Sequence, residues 1–274
     1  MTDTKRLYYE DVYIKEFSAK VVECRKEEKG FQVILDQSAF YPEGGGQPSD
    51  LGILGDTAVT DVQEKNGELI HYVKSELEPG TEVIGKIDWQ RRFDLMQQHS
   101  GEHIVSGLVH EAYGYNNVGF HMSSDVITID FSGVLDEKQL AEIEEKTNRN
   151  IWEDNPVEIF YPDKEELAAL PYRSKKELTG KIRLVRFPGA DLCACCGTHV
   201  THTGEIGMVK ILSVENFREG VRVTMISGKR VLDYLNMVNE QNHKVSVKLS
   251  AKATETARAV ERLQEENYRL KGRI

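Results

Sequence analysis

The amino-acid sequence predicts an α+β protein in three parts: a small N-terminal β-barrel over residues 1–88, a mixed α+β domain over 89–232, and a C-terminal amphipathic helix of coiled-coil character over 233–274. Three observations lead to that class. Short β-type runs separated by turn dipeptides fill the first third of the chain, with no long helix among them. A long helix-compatible run opens at Asp88, after which helices and strands follow one another without regular alternation. The tail repeats its apolar positions at alternating intervals of four and three.

In the first part, Lys20–Cys24, Phe31–Leu35 and Glu82–Ile87 have strand length and strand composition, and Lys29-Gly30 and Pro79-Gly80 supply turns. Strands at this spacing suggest a small barrel. Asp88 is a good N-cap for a helix from Trp89 to about Tyr113, along which Phe93, Met96, His99, His103 and Leu108 recur at roughly helical spacing. Val126–Phe131 alternates like a strand, Glu137–Trp152 reads as a helix, and Arg183–Phe187 is strand-like. Gly207–Leu212 and Val221–Ile226 form a closing strand pair. In the tail, Leu249, Ala253, Thr256, Val260, Leu263, Asn267, Leu270 and Ile274 make a heptad stripe. Asn267 sits in a core position, where Asn sets register and oligomer state, so the stripe predicts a homodimer through this helix. A single helix folding back on its own domain is the alternative. The stripe reaches Ile274 without a stop signal, so the natural chain is expected to continue.

Composition bounds the function. The chain has 274 residues, 39% hydrophobic and 29% charged, as soluble globular proteins do. No run approaches the roughly 18 apolar residues of a membrane span, and the N-terminus lacks a signal-peptide core, so a cytoplasmic location is expected. Three of the four cysteines crowd into Cys193-Ala194-Cys195-Cys196, unlike the dispersed cysteines of a secreted disulfide framework. The net charge of −10 argues against wholesale, sequence-independent binding of nucleic acid. A local basic stretch exists nonetheless: Arg173, Lys175, Lys176, Lys181, Arg183 and Arg186, opposed only by Glu177. Charge alone leaves a solvated surface and a nucleic-acid footprint equally open.

The chemistry concentrates in two short segments. His99-Ser100-Gly101-Glu102-His103 puts two imidazoles on one helix face with Cβ atoms about 5–6 Å apart, which suits two ligands of one tetrahedral metal. The pattern is not that of a zincin protease, which needs Glu where Ser100 stands. Cys195-Cys196-Gly197-Thr198-His199 adds a thiolate and an imidazole around a glycine turn. Thiolate plus imidazole favours zinc over magnesium or calcium. Spacing does not choose the sulfur among Cys193, Cys195 and Cys196.

Several motifs resemble one family. Phe40–Asp50, with Gly44-Gly45-Gly46-Gln47 at its centre, is similar to the glycine-rich signature of the barrel in alanyl-tRNA synthetase editing domains and their free-standing relatives, the AlaX trans-editing proteins. Val118-Gly119-Phe120-His121, Asp191–His199 and Gly204–Gly207 continue the resemblance, which covers nearly the whole chain. Cys196 replaces the first glycine of the family's Cys-Gly-Gly-Thr-His motif, and Ser38 stands where many relatives carry threonine.

The resemblance implies that residues 89–232 are a zinc-containing editing domain with one Zn2+ per chain on His99, His103, Cys195 and His199. It implies a trans-editing hydrolase that removes serine, and secondarily glycine, from mischarged tRNA(Ala). Asn117, His121, Asp191 and Thr198 are the candidate catalytic residues, each with a local structural role as the alternative. Ser38, Gly45, Gly46, Gln47, Lys175 and Lys176 are the candidates for contact with substrate or tRNA. Four protein ligands make a closed, structural zinc, whereas hydrolysis by metal-bound water needs an open position. The ligand count therefore favours a zinc that anchors the pocket while polar groups handle the water. A zinc-stabilised tRNA-binding module without catalysis is the other reading.

Overall fold

A computed structural model describes residues 3–174 and 180–272. Met1–Gly228 and Lys229–Ile274 are two compact units.

The N-terminal strands are β1 (Lys5–Arg6), β2 (Glu16–Glu27), β3 (Gly30–Leu35), β4 (Gln37–Ser38), β5 (Gly52–Leu54), β6 (Thr57–Lys65), β7 (Glu68–Val73) and β8 (Glu82–Ile87). Six of them close into an antiparallel barrel in the order β2-β3-β7-β6-β5-β8, and β1 pairs in parallel with β4. Alternating residues turn inward: Phe17, Ala19 and Val21 from β2, Val33 and Leu35 from β3, Val59 and Val62 from β6. Register shifts at Val21/Glu23 and Val59/Asp61 are the bulges that bend these long strands. Asn66-Gly67 joins the hairpin β6–β7 with φ of 53° and 82°, the left-handed pair that a two-residue I′ turn requires.

Ser38 lies on the short β1–β4 pair beside the barrel, buried against His71 of β7. Its hydroxyl lies 2.7 Å from His71 Nε2 and accepts the Phe40 N–H at 3.1 Å. His71 Nδ1 lies 3.0 Å from the Val33 carbonyl. A carbonyl only accepts, so Nδ1 carries the proton and Ser38 donates to Nε2. The buried hydroxyl thus donates to the barrel and accepts from the backbone two residues on.

The second layer contains α1 (Trp89–Tyr113), β9 (Asn117–Met122), β10 (Ile127–Phe131), α2 (Glu137–Trp152), β11 (Glu158–Phe160), α3 (Lys164–Ala169), β12 (Leu184–Phe187), β13 (Asp191–Ala194), β14 (Val209–Phe217) and β15 (Gly220–Ser227). Antiparallel sheets run β14-β15-β10-β9 and β11-β12-β13. Asp88 caps α1 by accepting from the Arg91 N–H, and Gly114 ends it at φ 71°. A capping box between Asp136 and Gln139 starts α2.

The rough stripe along α1 understates its burial. The helix packs against α2, β9, β13 and β15, and Gln97, Gln98, His99, Ser100, Glu102, His103 and Ser106 are buried beside its apolar residues. Polar groups are tolerated there because they are partnered. Gln98 exchanges two bonds of 2.8 Å with the Ser227 backbone, and Ser100 accepts from the Val200 N–H at 3.1 Å. Arg92 ties α1 to the barrel: it pairs with Asp50 and donates to the Val12 and Ala39 carbonyls at 3.0 and 2.6 Å, with both charged side chains fully buried.

In the C-terminal unit the single helix expected over 233–274 is two helices, α4 (Lys229–Leu249) and α5 (Thr256–Lys271). Ser250 adopts φ 49°, which ends α4. Asn242 holds the connection, donating to the Ala253 carbonyl at 2.7 Å and accepting from Thr256 Oγ1 at 2.8 Å. Leu249 and Ala253 therefore leave the heptad stripe. Leu263 and Leu270, on that stripe in α5, are exposed.

Candidate metal centre

Two segments far apart in sequence supply the ligands. His99 and His103 stand one turn apart on α1, and Cys195 and His199 lie in the loop after β13. One donor atom from each lies within 4.8 Å of the others. The three imidazoles are buried and Cys195 is half-buried.

His99 and His103 are both oriented from behind. His99 Nδ1 donates to Gln47 Oε1 at 2.9 Å, which turns Nε2 inward, 3.6 Å from Cys195 Sγ. A tetrahedral zinc with its usual bond lengths separates a thiolate and an imidazole nitrogen by about 3.6 Å. His103 Nδ1 donates to Asp191 Oδ2 at 2.9 Å, leaving Nε2 for a ligand. Both arrangements are the second-layer bonds that fix tautomer and raise basicity in metal-binding histidines. His199 is the clearest sign of a missing partner, because neither of its buried ring nitrogens has a hydrogen bond.

The electrostatics agree. Burial alone would raise the Cys195 thiol, but His99, His199 and a hydrogen bond with His103 hold it well below its ordinary value. The Gly197 N–H points at the sulfur from 3.3 Å. Burial, reinforced by His99, lowers His199 to about 3, so that ring is neutral and its lone pair available. Burial would lower His103 as well, but Asp191 and the neighbouring sulfurs raise it well above its usual range.

The loop has little freedom. A Cβ on Gly197 would run into the His99 ring, 2.5 Å from Nδ1. Arg183 donates to the Cys195 and Gly197 carbonyls at 2.7 and 3.1 Å, and Tyr9 Oη donates to the Cys196 carbonyl at 3.1 Å. Of the other candidate sulfurs, Cys193 groups with His103 and Asp191 but not with His99 and His199, and Cys196 is exposed.

The other expected residues divide. Gln47 is central, but as an orienting group: its Oε1 also accepts the Thr198 N–H at 3.1 Å and its Nε2 donates to Thr198 Oγ1 at 2.7 Å. Gly45 is exposed, whereas a Cβ on Gly46 would meet the Phe120 ring at 2.6 Å. Asp191 is saturated by His103 and by Arg173, whose Nε and Nη2 donate at 2.7 and 2.8 Å. Asn117 donates to Glu102 and to Ser106 Oγ on α1. His121 is exposed and not in the cluster; the preceding Phe120 is the residue of β9 that stacks on His99, with centroids 5.6 Å apart. Lys175 and Lys176 lie outside the described residues. Sequence reading missed Arg173, Arg183, Phe120 and Phe187, which stacks on His103 at 5.5 Å. Only the basic stretch drew attention to the two arginines.

Among known proteins, residues 2–91 match the model for tRNA synthetases class II (A), and residues 182–222 match that for the threonyl and alanyl tRNA synthetase second additional domain. The chain is 34% identical to an alanine–tRNA ligase of Ignicoccus hospitalis, over 96% of this chain and 30% of that protein. It is 35% identical to the alanyl-tRNA editing protein AlaX-L of Pyrococcus horikoshii, over 85% of this chain and 60% of that protein. It is 33% identical to the alanyl-tRNA editing protein Aarsd1 of Danio rerio, over 95% of this chain and 67% of that protein. The chain thus spans from under a third to about two thirds of the relatives it matches.

Proposed function

The chain belongs to the family of alanyl-tRNA synthetases and alanyl-tRNA editing proteins, and on that premise we propose that it hydrolyses the ester of mischarged tRNA(Ala), serine first and glycine second. One zinc ion per chain is part of the proposal, held by His99, His103, Cys195 and His199. The observation that carries the reading is the convergence of those four side chains around orphaned nitrogens of His199.

Bound zinc supplies a fixed positive charge beside which the ester carbonyl can be polarised. Gln47 and Asp191 hold the two helix imidazoles in register for it, and Arg183 holds the loop that carries Cys195. With four protein donors the first layer is closed, which favours an anchoring metal over a water-activating one. Thr198 and Asn117 act as positioning residues in this scheme, the first through Gln47 and the second through Glu102, next to His103. A cytoplasmic location and a homodimer through the C-terminal segment 233–274 complete the proposal; among the described residues no helix is long and apolar enough to cross a membrane.

The test is deacylation of seryl-, glycyl- and alanyl-tRNA(Ala) by the zinc-loaded protein, with His103→Ala alongside. Turnover of the serine ester, lost in the variant, is expected. No turnover of any ester, with zinc and tRNA both bound, would falsify the hydrolase reading in favour of a zinc-stabilised tRNA-binding module.

A further inference from the structure

Beside the ligand loop lie two exposed tyrosines, each backed by a cation. Tyr9 is 38% exposed and Tyr161 43%. Arg183 lies 5.2 Å from the Tyr9 centroid, and Lys181 Nζ lies 4.6 Å from that of Tyr161. Tyr161 follows Phe160, which pairs with Leu184, so the antiparallel register sets Tyr161 beside Arg183. Arg183 is thus the common neighbour of Tyr161 and Tyr9. The pair is joined to the metal loop directly, through Tyr9 Oη on the Cys196 carbonyl and Arg183 on those of Cys195 and Gly197.

Glu64 is engaged by Arg6 at 3.1 Å. One step along the sheet, Arg186 stands over Phe160 at 5.0 Å, but Glu158 neutralises it at 2.7 Å. Among the described residues, Tyr9 and Tyr161 are therefore the exposed rings of this sheet edge whose cations are not neutralised by Glu158. Exposed rings with a cation behind them suit stacked bases of a flexible single strand, since every base offers a π-face and the strand brings phosphates to the cations.

We propose that Tyr9 and Tyr161, backed by Arg183 and Lys181, form a stacking platform for the unpaired 3′-terminal nucleotides of tRNA, guiding the ester to the metal loop. The inference rests on the proposed deacylase reading for its purpose, but its test does not use deacylation. The platform reads single-strandedness and not sequence, and it would let an acidic chain engage tRNA through a small local surface.

The test compares two RNA hairpins of the same stem, one with an unpaired 3′ extension carrying 2-aminopurine and one blunt, binding to full-length zinc-loaded protein. The extension should tighten binding and quench the probe. Tyr9→Leu and Tyr161→Leu should each weaken binding of the extended hairpin roughly 5- to 150-fold, the range for loss of one base–aromatic stack. The blunt hairpin should change little. Tyr9→Phe keeps the ring while deleting the bond to Cys196, so it should retain the quench; this separates stacking from support of the loop. Equal affinity of both hairpins for the unaltered protein overturns the proposal. So does an unchanged advantage of the extension in both Leu variants. Failure of every ester to turn over, with these binding differences intact, overturns only the deacylase reading.

Discussion

Gln47→Ala isolates the most heavily used orienting group of the metal centre. The amide makes three bonds, to His99 Nδ1, the Thr198 N–H and Thr198 Oγ1, at 2.9, 3.1 and 2.7 Å. Loss of one outer-layer partner costs about 10–100-fold in metal affinity, or about 1.4–2.8 kcal/mol. Here the upper end is expected, because the same residue orients one ligand and pins the loop that carries two others. Buried groups stranded by the truncation cost about 1–3 kcal/mol each. That part is present with or without metal, so it belongs in stability and not in affinity. The variant should therefore bind zinc about 100-fold more weakly in competition with a chromogenic chelator, and should also lose roughly 3 kcal/mol against denaturant without metal. Gln47→Glu keeps an acceptor for His99 and for the Thr198 N–H but loses the donor to Thr198 Oγ1, so it should recover most of the affinity. Wild-type affinity in Gln47→Ala, or no recovery in Gln47→Glu, would refute the orienting role.

Three further perturbations test other parts of the chain. Arg92→Met strands Asp50 as an uncompensated buried charge and should cost about 3–5 kcal/mol by denaturant midpoint; a loss below about 1 kcal/mol would contradict the latch between barrel and α1. Gly197→Ala drives a methyl group into the His99 ring and should abolish stoichiometric zinc uptake, read by metal analysis of the purified folded protein; full uptake would sink the argument from packing. Burial lowers His71 from 6.5 to about 4, so between those values the unfolded chain binds more protons and stability rises with pH. Acidification through that window should remove about 3 kcal/mol from the wild type, with zinc held in excess, and a parallel curve for the non-titrating His71→Gln would show that His71 is not responsible.

Local rules made part of this protein legible. The Asp88 cap, the helix behind it and the spacing of His99 and His103 depend on near neighbours, and so does the bend that Asn66-Gly67 makes between β6 and β7. The tail shows where such rules fail. Its heptad spacing is real, but Asn242 bonding to the Ala253 carbonyl and to Thr256 stabilises a turn in which two helical neighbours leave the stripe. A periodic pattern states which positions would share a face if the helix continued; it does not state that the helix continues.

The metal site divides along the same line. The identities and pairwise spacings of His99, His103, Cys195 and His199 were present in the chain's letters, because each pair is held within about one turn or one tight loop. Closing the pairs on one another needed packing across 96 residues. The choice of Gln47 to face His99 across 52 residues, of Asp191 to face His103 across 88, and of Arg183 to clamp the loop were set by the barrel closing beside the buried middle of α1. Burial is what turns such groups from solvated side chains into obligate partners, since a polar group without water must find another polar group. Burial is a property of the assembled layers and not of any segment of the chain.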